Sequence, residues 1–299
     1  MTEPLWTPAA ERIARARLTA FAAAVEAAGG PAVAGDYAAL HRWSVTSPEA
    51  FWQAVWTFTG VIGDAGDAVL VDGDRFPGAR WFPDAQLNFA ENLLRHRGPQ
   101  PAIVSLLENG ERRVLSRDEL CGEVAAVAAA LRGAGVGPGD RVAGFLPNVP
   151  EAIVAMLAAA SLGALWTSCS PDFGVNGVLD RFGQVRPKVL FAADGYYYNG
   201  KTIDCLPRVA EIAAAIDSIE QLVVVPVLGA ADPSVAVPGA RRWTDFREPA
   251  AGDPVFERLP FDHPLFALYS SGTTGVPKCI VHGAGGTLLQ HLKEHQLHR

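Results

Sequence analysis

Short apolar runs alternate with longer segments of helical periodicity from about residue 101 to the end of the chain. Mostly apolar runs of this length predict buried strands, and they are AIVSLL (102–107), VLS (114–116), RVAGFL (141–146), ALWTSC (164–169), KVLFAAD (188–194), LVVVPVL (222–228), LFALYS (265–270) and CIVH (279–282). Because helical segments separate most of these strands, we predict an α/β fold: a parallel sheet with helices on both faces.

Helix boundaries are marked by capping residues. Ser116 and Glu119 form the capping-box pattern at the start of a helix over 117–135, which two glycines end. The Ser-Pro-Asp sequence from Ser170 predicts another helix start. Further helices are predicted over 150–162, 207–216 and 286–298.

Residues 1–95 differ from the rest of the chain because they are rich in aromatic and turn-forming residues. Ser47, followed by proline and glutamate, is typical of a helix start. We interpret the aromatic stripe around this helix as core packing rather than a cofactor site; its members are Trp43, Phe51, Trp52, Trp56 and Phe58. We therefore predict an N-terminal cap segment over 1–95 and a second domain over 96–299.

The composition favours a globular protein that binds small molecules. Hydrophobic residues make up 49% and charged residues 19% of the chain, and the net charge is −7 with a pI near 5.5. Such a chain lacks the basic patch with which proteins bind nucleic acid or anionic membranes. We expect small-molecule substrates, no nucleic acid and no membrane.

The cysteines and the N-terminus bear on the compartment. Cys121, Cys169, Cys205 and Cys279 contain no Cys-x-x-Cys pair, which favours reduced thiols in the cytoplasm over a zinc site or disulfides. Charged residues precede any apolar run at the N-terminus, so we predict no signal peptide. The uncharged stretch Ala152–Pro171 is interpreted as a buried helix and strand rather than a membrane span.

The stretch LYSSGTTGVPKCIVHG (268–283) is the strongest candidate for chemistry. Glycines allow a ligand to approach backbone N–H groups closely, and Pro277 limits the freedom of the loop. Hydroxyls and a lysine add donors, and this combination suits a polyphosphate. The candidate ATP phosphate-binding residues are Ser270, Ser271, Gly272, Thr273, Thr274, Gly275 and Lys278.

Two other structures are compatible with parts of this loop sequence. A Walker A loop needs G-x-x-x-x-G-K-[ST], but Pro277 occupies the position of the second glycine and Cys279 that of the hydroxyl residue, so the pattern fails. A solvated hairpin turn is the second interpretation, since Ser, Gly, Thr and Pro are common in turns. The lysine at a fixed offset favours phosphate binding.

The decapeptide YSSGTTGVPK (269–278) resembles the signature loop of the acyl-adenylate-forming (AMP-binding) superfamily at every defined position. Other segments are similar to its acetoacetate:CoA ligase subfamily, namely RWFPDAQLNFAENLLR (80–95), LPNVPEAIVAMLAAASLGALWTSCSPDFG (146–174) and VLDRFGQVRPKVLFAADGYYYNGK (178–201). The likeness runs from about residue 5 to the last residue.

The resemblance implies an ATP-dependent acid–thiol ligase that uses Mg²⁺ and coenzyme A. ATP and the acid give an acyl-adenylate and pyrophosphate, and the thiol of coenzyme A then displaces AMP. It further implies that Ser270 to Gly275 cradle the β- and γ-phosphates, with Lys278 at the end of the loop. Gly200 and Lys201 correspond to a segment that contacts a phosphate of coenzyme A in related enzymes, and a plain surface turn is the alternative there.

The same resemblance implies that the large domain continues beyond Arg299, where the catalytic acid and lysine of the family would lie. We therefore expect an incomplete adenylation domain whose partner is a missing C-terminal half. The alternatives are a fragment of an acetyl- or propionyl-CoA synthetase and a non-catalytic nucleotide-binding remnant. The segment HLKEH (291–295) suggests a different class of protein, an inverted zinc peptidase. The alternative interpretation of this segment is the solvated end of an amphipathic helix.

We expect the 299-residue chain to show no ATP–pyrophosphate exchange with acetoacetate, because the catalytic acid and lysine are expected outside it. The measurement is incorporation of labelled pyrophosphate into ATP by pure chain. Exchange well above that of a no-acetoacetate control would contradict this expectation.

Overall fold

The computed structural model describes residues 5–229, 232–249, 252–270 and 275–298. These residues fall into two compact units. The first comprises residues 5–87, 260–262 and 285–298, and the second comprises the described residues within 88–259 and 263–284.

The described part of the chain contains eleven α-helices and one short 3₁₀ turn at Pro233–Val235. The helices are α1 (Ala10–Arg15), α2 (Arg17–Ala27), α3 (Tyr37–Thr46), α4 (Pro48–Thr59), α5 (Phe89–Leu93), α6 (Arg117–Gly133), α7 (Pro150–Ser161), α8 (Val175–Val185), α9 (Leu206–Ala215), α10 (Trp243–Phe246) and α11 (Ala284–Leu297).

Sixteen strands are found among the same described residues. They are β1 (Gly63–Asp64), β2 (Leu70–Val71), β3 (Arg80–Trp81), β4 (Gln86–Leu87), β5 (Pro101–Leu106), β6 (Arg112–Ser116), β7 (Arg141–Phe145), β8 (Leu165–Cys169), β9 (Val189–Ala193), β10 (Gly195–Tyr198), β11 (Lys201–Asp204), β12 (Gln221–Val225), β13 (Arg241–Arg242), β14 (Leu259–Pro260), β15 (Pro264–Ser270) and β16 (Lys278–Gly283). Each predicted strand is therefore confirmed.

The first unit is built around aromatic side chains. Helix α4 begins at Pro48 with Ser47 as its N-cap, as predicted. The Phe21 ring of α2 lies edge-on to Phe51 and Phe58 of α4, with centroids 5.9 and 5.3 Å apart. Trp56 stacks on the buried ring of Phe82 at 5.0 Å. The stripe thus packs ring against ring, with Trp56 buried and its other members half-buried, which agrees with its interpretation as packing.

The second unit contains a seven-stranded sheet in the order β13-β12-β9-β7-β8-β15-β16. Six of these strands are parallel, and β16 runs antiparallel to β15 at the edge. The sheet is therefore mixed rather than wholly parallel. Two antiparallel hairpins, β5–β6 and β10–β11, lie outside it.

Helices cover both faces of this sheet, as predicted. Leu190 and Ala192 of β9 belong to a core cluster with Phe182 of α8 and Ile212 of α9. On the opposite face, the Phe191 ring lies edge-on to rings of α10, at 5.6 Å and 5.7 Å between centroids. All five residues of β9 are buried, which explains its uninterrupted apolar sequence.

Helix α8 begins later than predicted. The sequence favoured a helix from Ser170, but α8 begins at Val175 with Gly174 as its N-cap. The Ser170 hydroxyl instead donates to the Asp172 carboxylate at 2.9 Å and accepts from the Asp172 backbone N–H at 3.3 Å. These local bonds form a turn that competes with helix formation, so the prediction was wrong: the predicted cap, Ser170, lies four residues before the observed N-cap, Gly174.

Asn88 joins three segments of the second unit and is fully buried. Its amide nitrogen donates to the carbonyl oxygens of Ala160 and Ser161, at the end of α7, and of Glu257, at 3.0–3.2 Å. Its side-chain oxygen accepts from two backbone N–H groups in the first turn of α5, at 2.9 and 3.2 Å. Asn88 therefore caps the start of one helix and the end of another.

We expect Asn88→Ala to lower the free energy of unfolding by about 2–4 kcal/mol, because it removes a helix cap and leaves buried carbonyls without a donor. Chemical denaturation measures the loss. The control is Asp36→Ala, which removes an exposed cap with one bond to the Ala39 N–H at 2.9 Å and is expected to cost about 1 kcal/mol. An Asn88→Ala loss no larger than that of the control would contradict the role of Asn88.

Candidate functional site

The candidate phosphate loop joins two paired strands at the edge of the sheet. Strand β15 ends at Ser270 and β16 begins at Lys278, and these two residues are direct partners in the antiparallel register. Ser271, Gly272, Thr273 and Thr274 lie outside the described residues. The structure thus brings together the two predicted residues that flank the loop, Ser270 and Lys278.

Gly275 is the described glycine of the loop, and its conformation requires glycine. Its φ is +90°, in the region that residues with a side chain rarely adopt. A Cβ atom at this position would meet nothing within 4 Å. Backbone conformation, not lack of space, therefore accounts for glycine here.

Lys278 presents its charge to solvent. Its side chain is exposed at the first position of β16. Among the described residues, no carboxylate forms an ion pair with it. The ammonium group is therefore free to bind an anion at the mouth of the loop.

Tyr269 anchors the strand that enters the loop. Its hydroxyl donates to the Arg181 carbonyl of α8 at 3.1 Å and lies 3.0 Å from the Thr167 hydroxyl. The Thr167 hydroxyl donates to the Ala267 carbonyl at 2.8 Å. Burial raises the pKa of Tyr269 to about 12, against the opposing effect of the Thr167 contact. Tyr269 therefore stays protonated at neutral pH and keeps its hydrogen bond to α8.

The strand that leaves the loop is held by Gln184 of α8. The Gln184 amide nitrogen donates to the Pro277 carbonyl at 2.9 Å and to the Asp180 carbonyl of its own helix at 2.5 Å. The guanidinium group of Arg181, also in α8, lies over the Phe173 ring, 4.3 Å from the ring centroid. No pattern in the sequence indicates Gln184 or Thr167, because their hydrogen-bond partners are remote in the chain.

Three of the four free cysteines are buried. Burial raises the pKa of the Cys169 thiol to about 12 and, against Arg208, that of Cys205 to about 11. Burial also raises the pKa of Cys121. Cys279 is half-buried and follows Lys278 in β16.

Gly200 and Lys201, the candidate residues for coenzyme A, lie at the turn of the β10–β11 hairpin. Asn199 and Gly200 have φ of +50° and +71°, which is typical of a two-residue hairpin turn. The Gly200 N–H donates to the Glu108 carboxylate at 3.4 Å. A phosphate bound at this turn would have to share the Gly200 N–H with the negatively charged Glu108. The assignment of Gly200 and Lys201 to coenzyme A stays a prediction.

The HLKEH segment lies in α11, where the His291 and His295 rings are 6.3 Å apart between centroids. Burial and, next, His295 lower the pKa of His291. Within the described ranges, no group of three His, Cys, Asp or Glu side chains could hold a metal ion. Among the described helices, none combines the length and apolar character needed to cross a membrane.

Comparison with known proteins assigns the chain to a family. The family described as "AMP-binding enzyme" matches residues 89–298, and "Acetyl-coenzyme A synthetase N-terminus" matches residues 37–93. The first match covers more than half of the chain, so the chain belongs to the AMP-binding enzyme family. The resemblance of the YSSGTTGVPK loop is thereby confirmed at the level of the family.

The individual relatives of this chain carry more specific names than the family does. The acetoacetyl-coenzyme A synthetase of Rhizobium meliloti (strain 1021) is 51% identical over 99% of this chain and 45% of the relative. The acetoacetyl-CoA synthetase of Rattus norvegicus is 42% identical over 98% of this chain and 45% of the relative. The solved acetoacetyl-CoA synthetase from Streptomyces lividans has a TM-score of 0.91 and 48% identity, over 98% of this chain and 45% of that structure. The chain therefore spans less than half the length of these relatives.

We expect iodoacetamide at about pH 8 to label Cys279 faster than the three buried cysteines, because the thiolate is the reactive form and burial keeps the others protonated. Mass spectrometry of the labelled peptides measures the rates. Labelling of Cys169 should stay slower than that of Cys279 in the folded chain, because burial raises its pKa and also limits access of the reagent. Similar rates for all four cysteines are expected in denaturant, and equally fast labelling of Cys169 in the folded chain would contradict the prediction.

Proposed function

We propose that this chain belongs to an acid–thiol ligase that activates acetoacetate with ATP and transfers it to coenzyme A. Relatives named acetoacetyl-CoA synthetase, at 42–51% identity over nearly the whole chain, support this substrate. The role proposed for the present chain within that reaction is to bind the phosphates of Mg-ATP.

One observation carries the phosphate-binding role. Ser270 and Lys278 face each other across β15 and β16, at the mouth of a loop whose sequence matches the family signature. Gly275 adopts a positive φ beside them, and Lys278 is exposed. One loop thus combines a hydroxyl, a glycine backbone and a cation. These are the groups from which phosphate sites are built.

The proposed chemistry needs positive charge at this loop. The carboxylate oxygen of acetoacetate attacks the α-phosphorus of ATP, the bond from that phosphorus to the bridging oxygen breaks, and pyrophosphate leaves with the electron pair. Donors aimed at the leaving oxygens stabilise the charge that develops there. We assign this role to Lys278 and to loop residues 270–275, with Mg²⁺ carried by the nucleotide. The thiol of coenzyme A, which gives up its proton to solvent, then attacks the acyl carbon, and the bond from that carbon to the AMP oxygen breaks as AMP leaves with the electron pair.

A second candidate substrate is the acid whose acyl group is malonamoyl. The malonamoyl-CoA synthetase of Penicillium aethiopicum is 41% identical over 87% of this chain. The name of this relative specifies a different acid from the names of the acetoacetyl-CoA synthetases. All of these relatives are nevertheless named as CoA synthetases. The shared segment is therefore best assigned to the nucleotide rather than to selection of the acid.

The domain division and the compartment belong to the same proposal. A boundary near residue 95 is supported by the two family matches, which meet at residues 89–93. Four free cysteines support a cytoplasmic location, since thiols stay reduced there.

We expect Lys278→Ala to weaken binding of Mg-ATP by about 10- to 100-fold, because a charge-assisted hydrogen bond to phosphate contributes roughly 1.5–3 kcal/mol. Titration calorimetry of the 299-residue chain measures the dissociation constant. The absence of binding heat at millimolar Mg-ATP in the unmodified chain would contradict the proposal.

Lys201→Ala is the matched control, since Lys201 is an exposed lysine at a different turn. It should leave the affinity for Mg-ATP unchanged. If Lys201 contacts a phosphate of coenzyme A, the same variant should lose the preference of the chain for coenzyme A over dephospho-coenzyme A. Equal weakening of Mg-ATP binding by both lysine variants would argue against a specific role for Lys278.

A further inference from the structure

Helix α8 contacts both strands that flank the phosphate loop. The Tyr269 hydroxyl, on the entering strand, donates to the Arg181 carbonyl at 3.1 Å. The Gln184 amide, one turn further along α8, donates to the Pro277 carbonyl on the leaving side at 2.9 Å. One helix therefore fixes the chain immediately before and immediately after the loop.

The contact from Gln184 acts on the peptide unit that ends at Lys278. The Pro277 carbonyl and the Lys278 N–H belong to one planar group, so a donor held against that carbonyl orients the whole plane. Together with the φ of Lys278, which strand pairing in β16 restrains, the plane determines the direction in which the Lys278 Cα–Cβ bond leaves the backbone. Lysine has a flexible four-carbon stem, and a fixed starting direction limits the volume that its ammonium group searches.

Gln184 is itself held in place. Its second amide hydrogen is directed to the Asp180 carbonyl, one turn earlier in α8. The end of α8 is fixed by Arg141, which donates to the Val185 and Arg186 carbonyls at 3.0 and 2.9 Å. The Phe182 side chain anchors the inner face of the helix in the core. A rigid helix thus supports an exposed amide that reaches the loop.

We propose that Gln184 is a positioning residue for Lys278, and that it acts by holding the Pro277–Lys278 peptide in the orientation that directs the ammonium group to the phosphates of ATP. This inference rests on the proposed function, because it names the phosphates as the target. Gln184 acts through Lys278 and not by contact with a phosphate. Its side chain is exposed, so its removal leaves the hydrophobic core intact.

A double-mutant cycle with Gln184→Met and Lys278→Ala tests the proposal. Methionine keeps the length of the side chain and removes the donor. We expect Gln184→Met to weaken Mg-ATP binding by about 2- to 5-fold, the effect of losing one ordinary hydrogen bond, when Lys278 is present. In the Lys278→Ala background the same change should have no further effect, because residues that act through one another are not additive.

The matched control is Gln290→Met, since Gln290 is an exposed helical glutamine whose amide donates to Glu294 of its own helix at 3.0 Å. It should leave Mg-ATP affinity unchanged in both backgrounds. Melting temperatures of all variants should agree closely. Equal weakening by Gln184→Met with and without Lys278 would overturn the positioning role and indicate a general structural effect.

Hydrogen exchange without nucleotide gives an independent measurement. Gln184→Met should speed exchange of the amides in the 275–279 segment, whereas Gln290→Met should not. Unchanged exchange there would overturn the inference even if Mg-ATP binds. If the unmodified chain binds no Mg-ATP, the proposed function fails, and the exchange rates still decide whether Gln184 orders the Pro277–Lys278 peptide.

Discussion

The central strands of the mixed sheet in the second unit have helices on both faces, and this constraint determines where chemistry can occur. Strands such as β9 are buried along their whole length, so their side chains serve packing alone. Only strand ends and the sheet edge reach solvent. The edge pair β15–β16 is one such place, where a hydroxyl and a cation lie side by side and are open to a ligand. The Thr167 hydroxyl fixes β15 there through the Ala267 carbonyl and Tyr269.

Local signals in the sequence predicted local features well. The capping box at Ser116 and Glu119 is present as expected, and its hydrogen bonds to Ser116 lower the pKa of Glu119. The apolar runs predicted the central strands because a strand buried on both faces has little choice of residue type. The candidate phosphate loop is recognisable in the sequence because its glycines, hydroxyls and lysine are neighbours in the chain, and its role stays a prediction. In each case the physical cause lies within a few residues.

Features that depend on remote partners were not predictable in this way. The carbonyl groups that Asn88 binds are 72 to 169 positions away, and Gln184 lies 93 positions from Pro277. No periodicity or spacing indicates such pairs. The wrong start of α8 has a different cause: Ser170 fits a helix cap and a local turn equally well, and the sequence pattern does not weigh one against the other. The short β13 and α10 were missed because proline and glycine surround them.

The antiparallel direction of β16 has a consequence for how the loop tolerates change. Strand pairing, rather than the content of the loop, brings Lys278 opposite Ser270. Substitutions between these residues therefore leave the lysine in place. A slip of the pairing by one residue would instead set Cys279 opposite Ser270 and turn the lysine to the other face of the sheet. The register of one edge strand thus sets the distance between the Ser270 hydroxyl and the Lys278 charge.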